Sequence, residues 1–181
     1  GMTFTTGSGI WTFAATTGTQ VITSAGKTLF SIIQGGSINQ TVQFADNTTL
    51  ASTATYTFSL GTLDIGTNNV TLSTGLFSSG SGSQRTFVFG TGNITTTGSG
   101  TAFSVTADAS TTYTGTPTIN ISNNSATATT VTALSFTFAQ AFNFNFTVGT
   151  YALTLTTAAT VRSLNFTGFT GTWAPSTNTT T

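Results

Sequence analysis

The stretch "AFNFNFTVGTYALTLTTAATVRSLNFTGF", residues 141–169, carries one charge, Arg162, in twenty-nine positions. Phe142, Phe144 and Phe146 alternate with Asn143, Asn145 and Thr147, and Leu153 and Leu155 alternate with Thr154 and Thr156. Successive side chains of a strand point to opposite faces, so this alternation predicts strands with an apolar inner face and a hydroxyl or amide outer face. The same two-residue period recurs outward from this stretch, in "IWTFAA", "TVQF", "ATYTFSL", "TLDIG", "NVTLS", "TFVFG" and "TINIS". Clusters such as "SSGSGSQ" and "GTGN" separate these runs as turns. No segment shows a helical period, and Pro117 and Pro175 sit among threonines. The chain reads as all-β.

Composition agrees. Charged residues make up 3 % of the 181 positions, against about a quarter in ordinary domains. The 49 threonines and 19 serines supply the solvated surface instead, and β-branched threonine favours strands. With 37 % hydrophobic residues and sixteen Phe, the chain can bury a core as one domain, residues 1–181.

The charges, Lys27, Arg85, Arg162, Asp46, Asp64 and Asp108, sum to zero. With no basic field, no nucleic-acid partner is expected. Histidine and cysteine are absent, which removes disulfides, thiol chemistry and the usual zinc or copper ligands; no metal and no cofactor is expected. No apolar run is long enough to cross a bilayer, so no spanning helix is expected. The start "GMTFTTGSG" lacks a basic n-region and an apolar h-region, so no signal peptide is expected, and Gly1 before Met2 reads as a cloning scar.

Internal repetition selects among all-β folds. "TTGSG" occurs at 5–9 and again at 96–100, and "FTGFTGTW" at 166–173 matches "FTTGSGIW" at 4–11 in Phe, Thr, Gly and Trp. The two separations are close to four and seven multiples of a unit of about 23 residues. A ladder of Val21, Phe44, Val70, Ile94, Ile119, Phe142 and Leu164 recurs at intervals close to that same unit. A period in the low twenties predicts a parallel β-helix, a β-solenoid with three short strands per rung and about seven or eight rungs spaced about 4.8 Å apart. The alternative is a β-sandwich, but its usual Asn-Gly and Asp-Gly hairpin turns do not occur here. An outer-membrane barrel would need aromatic girdles that two Trp and three Tyr cannot supply.

"GTLDIGTNNVTLSTG" (61–75) and "RTFVFGTGNITTTGSGTAF" (85–103) resemble segments of repetitive Thr/Gly-rich surface proteins of aquatic bacteria and their phages, of adhesin or phage-fibre type. "LDIGTNNVTL" is also similar to the L-D-x-x-G-x-x-L/V-T-L rungs of secreted β-helical adhesins, with Gly66 one place earlier than in that pattern. The resemblance implies an extended structural role at a cell surface or virion and brings no active site. The related octapeptides at the two ends suggest one segment of a longer array, whose end rungs would pair with neighbouring repeats or with a second copy.

The candidate sites divide by chemistry. Glycoside hydrolysis usually needs two carboxyls; Asp46 and Asp64 are separated by roughly one rung of sequence. The simpler reading places Asp46 in a turn bonding nearby amides, and Asp64 at a strand end, with Asp108 alike. Isolated aspartates do not make a calcium site. Nine of twelve asparagines, including Asn69, Asn93, Asn145 and Asn165, fall in Asn-x-Ser/Thr sequons, which strand alternation explains. Ranked Thr-x-Thr pairs would make an ice-binding or surface-adsorbing wall, but Thr95/Thr97, Thr112/Thr114, Thr154/Thr156 and Thr177/Thr179 do not keep a constant interval. Trp11, Tyr56, Tyr113, Tyr151 and Trp173 are candidates to stack on a cell-surface glycan. Arg85 and Arg162 are expected to snorkel from the wall. The expected role is a non-enzymatic structural or adhesive segment, a rigid spacer or weak glycan-contacting stalk, of an extracellular, cell-surface or virion protein. The alternatives are an ice-binding solenoid and, third, a polysaccharide-active enzyme.

Overall fold

A computed structural model describes residues 9–80, 82–106, 110–134, 141–156 and 161–175. Every described strand pairing is parallel. As far as β16 the strands fall in rotation onto three sheets, and beyond it the described strands alternate between two of them, so the chain coils as a three-walled β-solenoid.

Among the described residues the first wall has eight strands: β1 (Trp11–Phe13), β4 (Ile32–Gln34), β7 (Thr55–Phe58), β10 (Leu76–Ser79), β13 (Gly100–Thr106), β16 (Thr129–Leu134), β18 (Ala152–Leu155) and β20 (Thr172–Pro175). The second holds β2 (Gly18–Ile22), β5 (Gln40–Phe44), β8 (Gly61–Asp64), β11 (Arg85–Gly90) and β14 (Thr111–Gly115). The third holds β3 (Thr28–Leu29), β6 (Thr48–Leu50), β9 (Thr71–Thr74), β12 (Asn93–Thr96), β15 (Thr118–Ile121), β17 (Phe142–Phe146) and β19 (Val161–Asn165).

One register position can be followed up the first wall through Trp11, Ile32, Tyr56, Phe77, Phe103, Val131, Leu155 and Pro175. The steps between these residues are unequal, longest from Phe103 to Val131 and shortest from Leu155 to Pro175. The unit near 23 is thus the mean of unequal rungs. Seven steps at about 4.8 Å give a rod about 34 Å long.

Alternation puts the apolar set inside. Strand β17 is the clearest case, with Phe142, Phe144 and Phe146 buried and Asn143 and Asn145 half-buried on the outer face. Aromatic rings fill the middle of the coil: Phe103 lies 5.3 Å from Phe142 and 5.6 Å from both Phe77 and Phe144. Close stacking also limits the corners. A Cβ on Gly98 would stand 2.6 Å from the carbonyl oxygen of Gly75 one rung away, so only glycine fits the corner between the third and first walls at this level.

The expected ladder needs correction. Val21 is 56 % exposed; its neighbour Ile22 is the buried residue registered with Phe44. A one-residue error in a strand moves a side chain to the other face. Phe44 belongs to the second wall, and Val70 is buried just before β9 rather than in it. On the third wall, Ile94 registers with Leu72 and Ile119, and Ile119 with Phe144 rather than Phe142. Phe144 in turn registers with Leu164. The inner column of that wall is therefore Leu72, Ile94, Ile119, Phe144 and Leu164. Phe142 is buried one position earlier along the chain's inner face, opposite Val161 across a register shift.

Candidate functional site

Burial reverses the expectation for Arg85. It begins β11 with its side chain turned inward and fully buried, not snorkelling. Its guanidinium donates to Ser83 O (3.2 Å), Ser79 Oγ (2.7 Å), Thr106 O (2.7 Å) and Thr111 Oγ1 (3.1 Å). The same corner, between the first and second walls, holds buried Gln34 and Gln40 lower in the coil. Gln34 Nε2 donates to Thr62 O (2.7 Å) and Gln34 Oε1 accepts from Tyr56 Oη (2.7 Å), while Gln40 Nε2 donates to Gln20 Oε1. These polar side chains bond one another and nearby backbone carbonyls, so the polar groups buried at the bend are paired. Arg162 lies exposed on the third wall in β19.

The carboxylates of Asp46 and Asp64 are held as acceptors. Asp46 takes the amides of Ser24 (2.9 Å) and Ala25 (2.7 Å) and the hydroxyls of Ser24 (3.0 Å) and Thr48 (3.3 Å). The amides it bonds belong to the preceding rung, and one of them sits in the left-handed turn at Ala25 (φ 49°). Asp64 ends β8, as expected, and accepts from the amides of Gly66 (3.0 Å) and Thr67 (2.9 Å), from Thr67 Oγ1 (2.7 Å) and from Gln43 Nε2 (2.9 Å). Burial alone would raise both carboxyls, but these hydrogen bonds outweigh it and hold both below the ordinary value. Each stays ionised with its oxygens occupied, which suits a structural tie and not a general acid. Asp108 lies outside the described residues. Among the described residues no three His, Cys, Asp or Glu gather where they could hold a metal, and no helix is long and apolar enough to cross a membrane.

The aromatic candidates do not form one surface. Tyr56 is fully buried, and burial raises its hydroxyl far above the usual range. Tyr151 is buried against Phe169, with ring centres 5.0 Å apart and a hydroxyl that burial pushes up to about 12. Tyr113 is half-buried on the second wall and stacks on Phe87 at 5.1 Å. Trp11 is half-buried in β1; Trp173, 39 % exposed, lies 5.2 Å from Phe166. Both tryptophans stand on the first wall, but Trp11 shares a column with Leu155 and Trp173 registers with Leu153, two positions away. Their octapeptides are alike in sequence and shifted in register.

The outer faces hold the order that the sequence conceals. On the second wall Thr19, Thr41, Thr62, Thr86 and Thr112 form one unbroken column, with Thr86 and Thr112 hydroxyls 2.9 Å apart. Its companion column is mixed: Val21, Gln43, Asp64, Val88 and Thr114. The third wall carries a chain of amides: Asn120 and Asn145 share a column and Asn93 stands in the next, registered with Thr118; Asn120 Nδ2 donates to Asn93 Oδ1 (3.0 Å) and Asn145 Nδ2 to Asn120 Oδ1 (2.9 Å).

The first wall has two outer ranks. One runs Thr57, Ser78, Ser104, Thr132 and Thr156, the last two sharing a 2.7 Å hydrogen bond. In the other, Thr55 registers with Leu76; above a bulge Thr101 registers with Thr130, and Thr130 with Thr154. The expected threonine pairs are scattered over different walls: Thr95 on the third, Thr112/Thr114 on the second, Thr154/Thr156 on the first. Thr97 lies just past β12, and Thr177/Thr179 fall outside the described residues. Their unequal spacing reflects that scatter.

Two of the surface depressions are lined by described residues. One, about 260 Å³, is lined by Trp11, Phe13, Val21, Ile22, Lys27 and neighbours. The other, about 370 Å³, is a groove along the corner of the third and first walls, lined by Thr55, Leu76 and Thr101 with Gly75 and Gly98. The fold defines the chain as a three-walled parallel β-solenoid. In comparisons with known proteins it matches no family model, no curated protein and no solved structure.

Proposed function

We propose that the chain is a structural or adhesive segment of an extracellular or virion surface repeat protein, working as a rigid spacer with weak glycan contact. The observation that carries this reading is the continuous interior: one buried cluster runs from Ile22 to Leu155 through all three walls. Stiffness follows, because a bend would have to open close-packed rings and parallel ladders together. Hydroxyl and amide columns solvate the outside with almost no charge, and the two described carboxylates serve the coil rather than chemistry. Ile10, 60 % exposed, and Trp173 stand at opposite ends of the described coil, where stacking on a neighbouring repeat or a second copy would cover them.

Limited proteolysis of the folded chain, with small-angle scattering and sedimentation, tests this reading. A protease-resistant rod that associates end to end at high concentration is expected. Rapid cleavage throughout the walls, or turnover of a polysaccharide by the purified chain, would sink it.

A further inference from the structure

We propose that the outer face of the first wall binds ice. This proposal stands apart from the spacer reading, and either can fail alone. Its basis is the two-rank array of five rungs from Thr55/Thr57 to Thr154/Thr156, in which Leu76 is the one position without a hydroxyl. On four of the five rungs the two ranks are two residues apart on a strand, about 6.6 Å, and rungs are about 4.8 Å apart; on β13 a bulge at Ala102 sets Thr101 and Ser104 three residues apart. On the rungs away from that bulge the result is a rectangular net of oxygens, the kind of array that a face of an ice crystal presents. Threonine suits it doubly: the hydroxyl fixes a water molecule, and the methyl group beside it leaves that water no other protein partner.

Two further observations favour this wall and this occupant. Thr156 Oγ1 is tied to Thr132 Oγ1 at 2.7 Å, so hydroxyls there are ordered before any ligand arrives. None of the described charged side chains stands on this face: Asp46 and Lys27 lie at the corner of the second and third walls, Asp64 on the second, Arg162 on the third, and Arg85 inside. A neutral face of fixed hydroxyls complements a neutral lattice of fixed water. The second wall is a weaker candidate, because its threonine column runs beside Gln43 and Asp64.

The experiment is ice-crystal shaping and the gap between melting and freezing points for the purified chain. Faceted crystals and a measurable gap are expected. Thr132→Lys should lose most of the gap and Thr132→Val part of it, while Thr86→Lys on the second wall should keep it. Leu76→Thr, which completes the array, should widen it. Circular dichroism establishes that each variant is folded. Round, unshaped ice with the folded wild-type chain would overturn the proposal, as would equal losses from Thr86→Lys and Thr132→Lys. Adsorption to crystalline cellulose without ice shaping would overturn it too, in favour of a polysaccharide surface.

Discussion

The interior changes chemistry between the middle of the coil and the corner where the first and second walls meet. In the middle, Phe77, Phe87, Phe103, Phe142 and Phe144 contact one another through stacked, tilted and edge-on rings, with centres 5.3 to 6.2 Å apart. At the corner, Gln34, Gln40, Ser79, Arg85 and Thr111 are buried just as deeply. Apolar contacts are non-directional, so the ring stack supplies energy and tolerates unequal rungs. Hydrogen bonds have preferred lengths and angles, so the polar corner specifies which residue faces which. Energy and register are thus held by different parts of one interior.

Substitution in each part tests that division, beginning with the ring stack. Phe103→Ala removes a side chain packed against Phe77, Phe142 and Phe144 and should cost about 3–5 kcal/mol, read from denaturant unfolding. A cost under about 1 kcal/mol would mean that the rings are loosely packed. Next, Arg85→Met keeps much of the volume but strips donors from Ser79 Oγ, Thr106 O and Thr111 Oγ1. A loss of about 2–4 kcal/mol is expected, since buried groups left unpaired bear their desolvation cost. A neutral outcome would show that the corner is merely tolerated and would end the comparison.

Acid and base test the carboxylate ties, which lie away from that corner, against the buried tyrosines in a milder way. The folded values of Asp46 and Asp64 lie below their unfolded ones, so their stabilisation is present above the ordinary carboxylate range and fades as pH falls through the folded values. Tyr56 and Tyr151 run the other way. Both are raised, so their contribution is full below about 10, the unfolded value, and is lost as pH climbs toward and beyond it. Thermal melts should therefore be level from about pH 5 to about pH 9 and fall on both sides; a sharp maximum inside that window would contradict the assignment. The smallest effect belongs to the outer wall. Asn120→Ala breaks the link between Asn93 and Asn145 and should cost about 1 kcal/mol, with no change in the slope of denaturant unfolding.

Much of this architecture is legible in the chain. The period of two in "FNFNF" places Phe142, Phe144 and Phe146 inside and the asparagines outside, as β17 has them. The repeat unit near 23 leads to a parallel coil. Val21 is ambiguous because "TQVI" offers two adjacent apolar residues, and alternation alone does not say which faces in. Arg85 is hard to place because a cation among polar residues looks solvated until Ser79, Thr106 and Thr111 are brought around it. The hydroxyl ranks of the first wall are hidden for a related reason: Thr57 and Thr132 stand far apart in sequence and only three rungs apart in space.

By itself, the sequence determined that the chain forms short strands with one apolar face, that they repeat with a period in the low twenties, and that hydroxyls stand where other proteins carry charge. Those properties are local, set by β-branched geometry and side-chain alternation. Only the tertiary structure decided which residues stack into a column. The steps up the first wall differ in length, and the corners absorb the difference. How much chain a corner takes depends on the hydrogen bonds and close contacts it makes with the rung beneath.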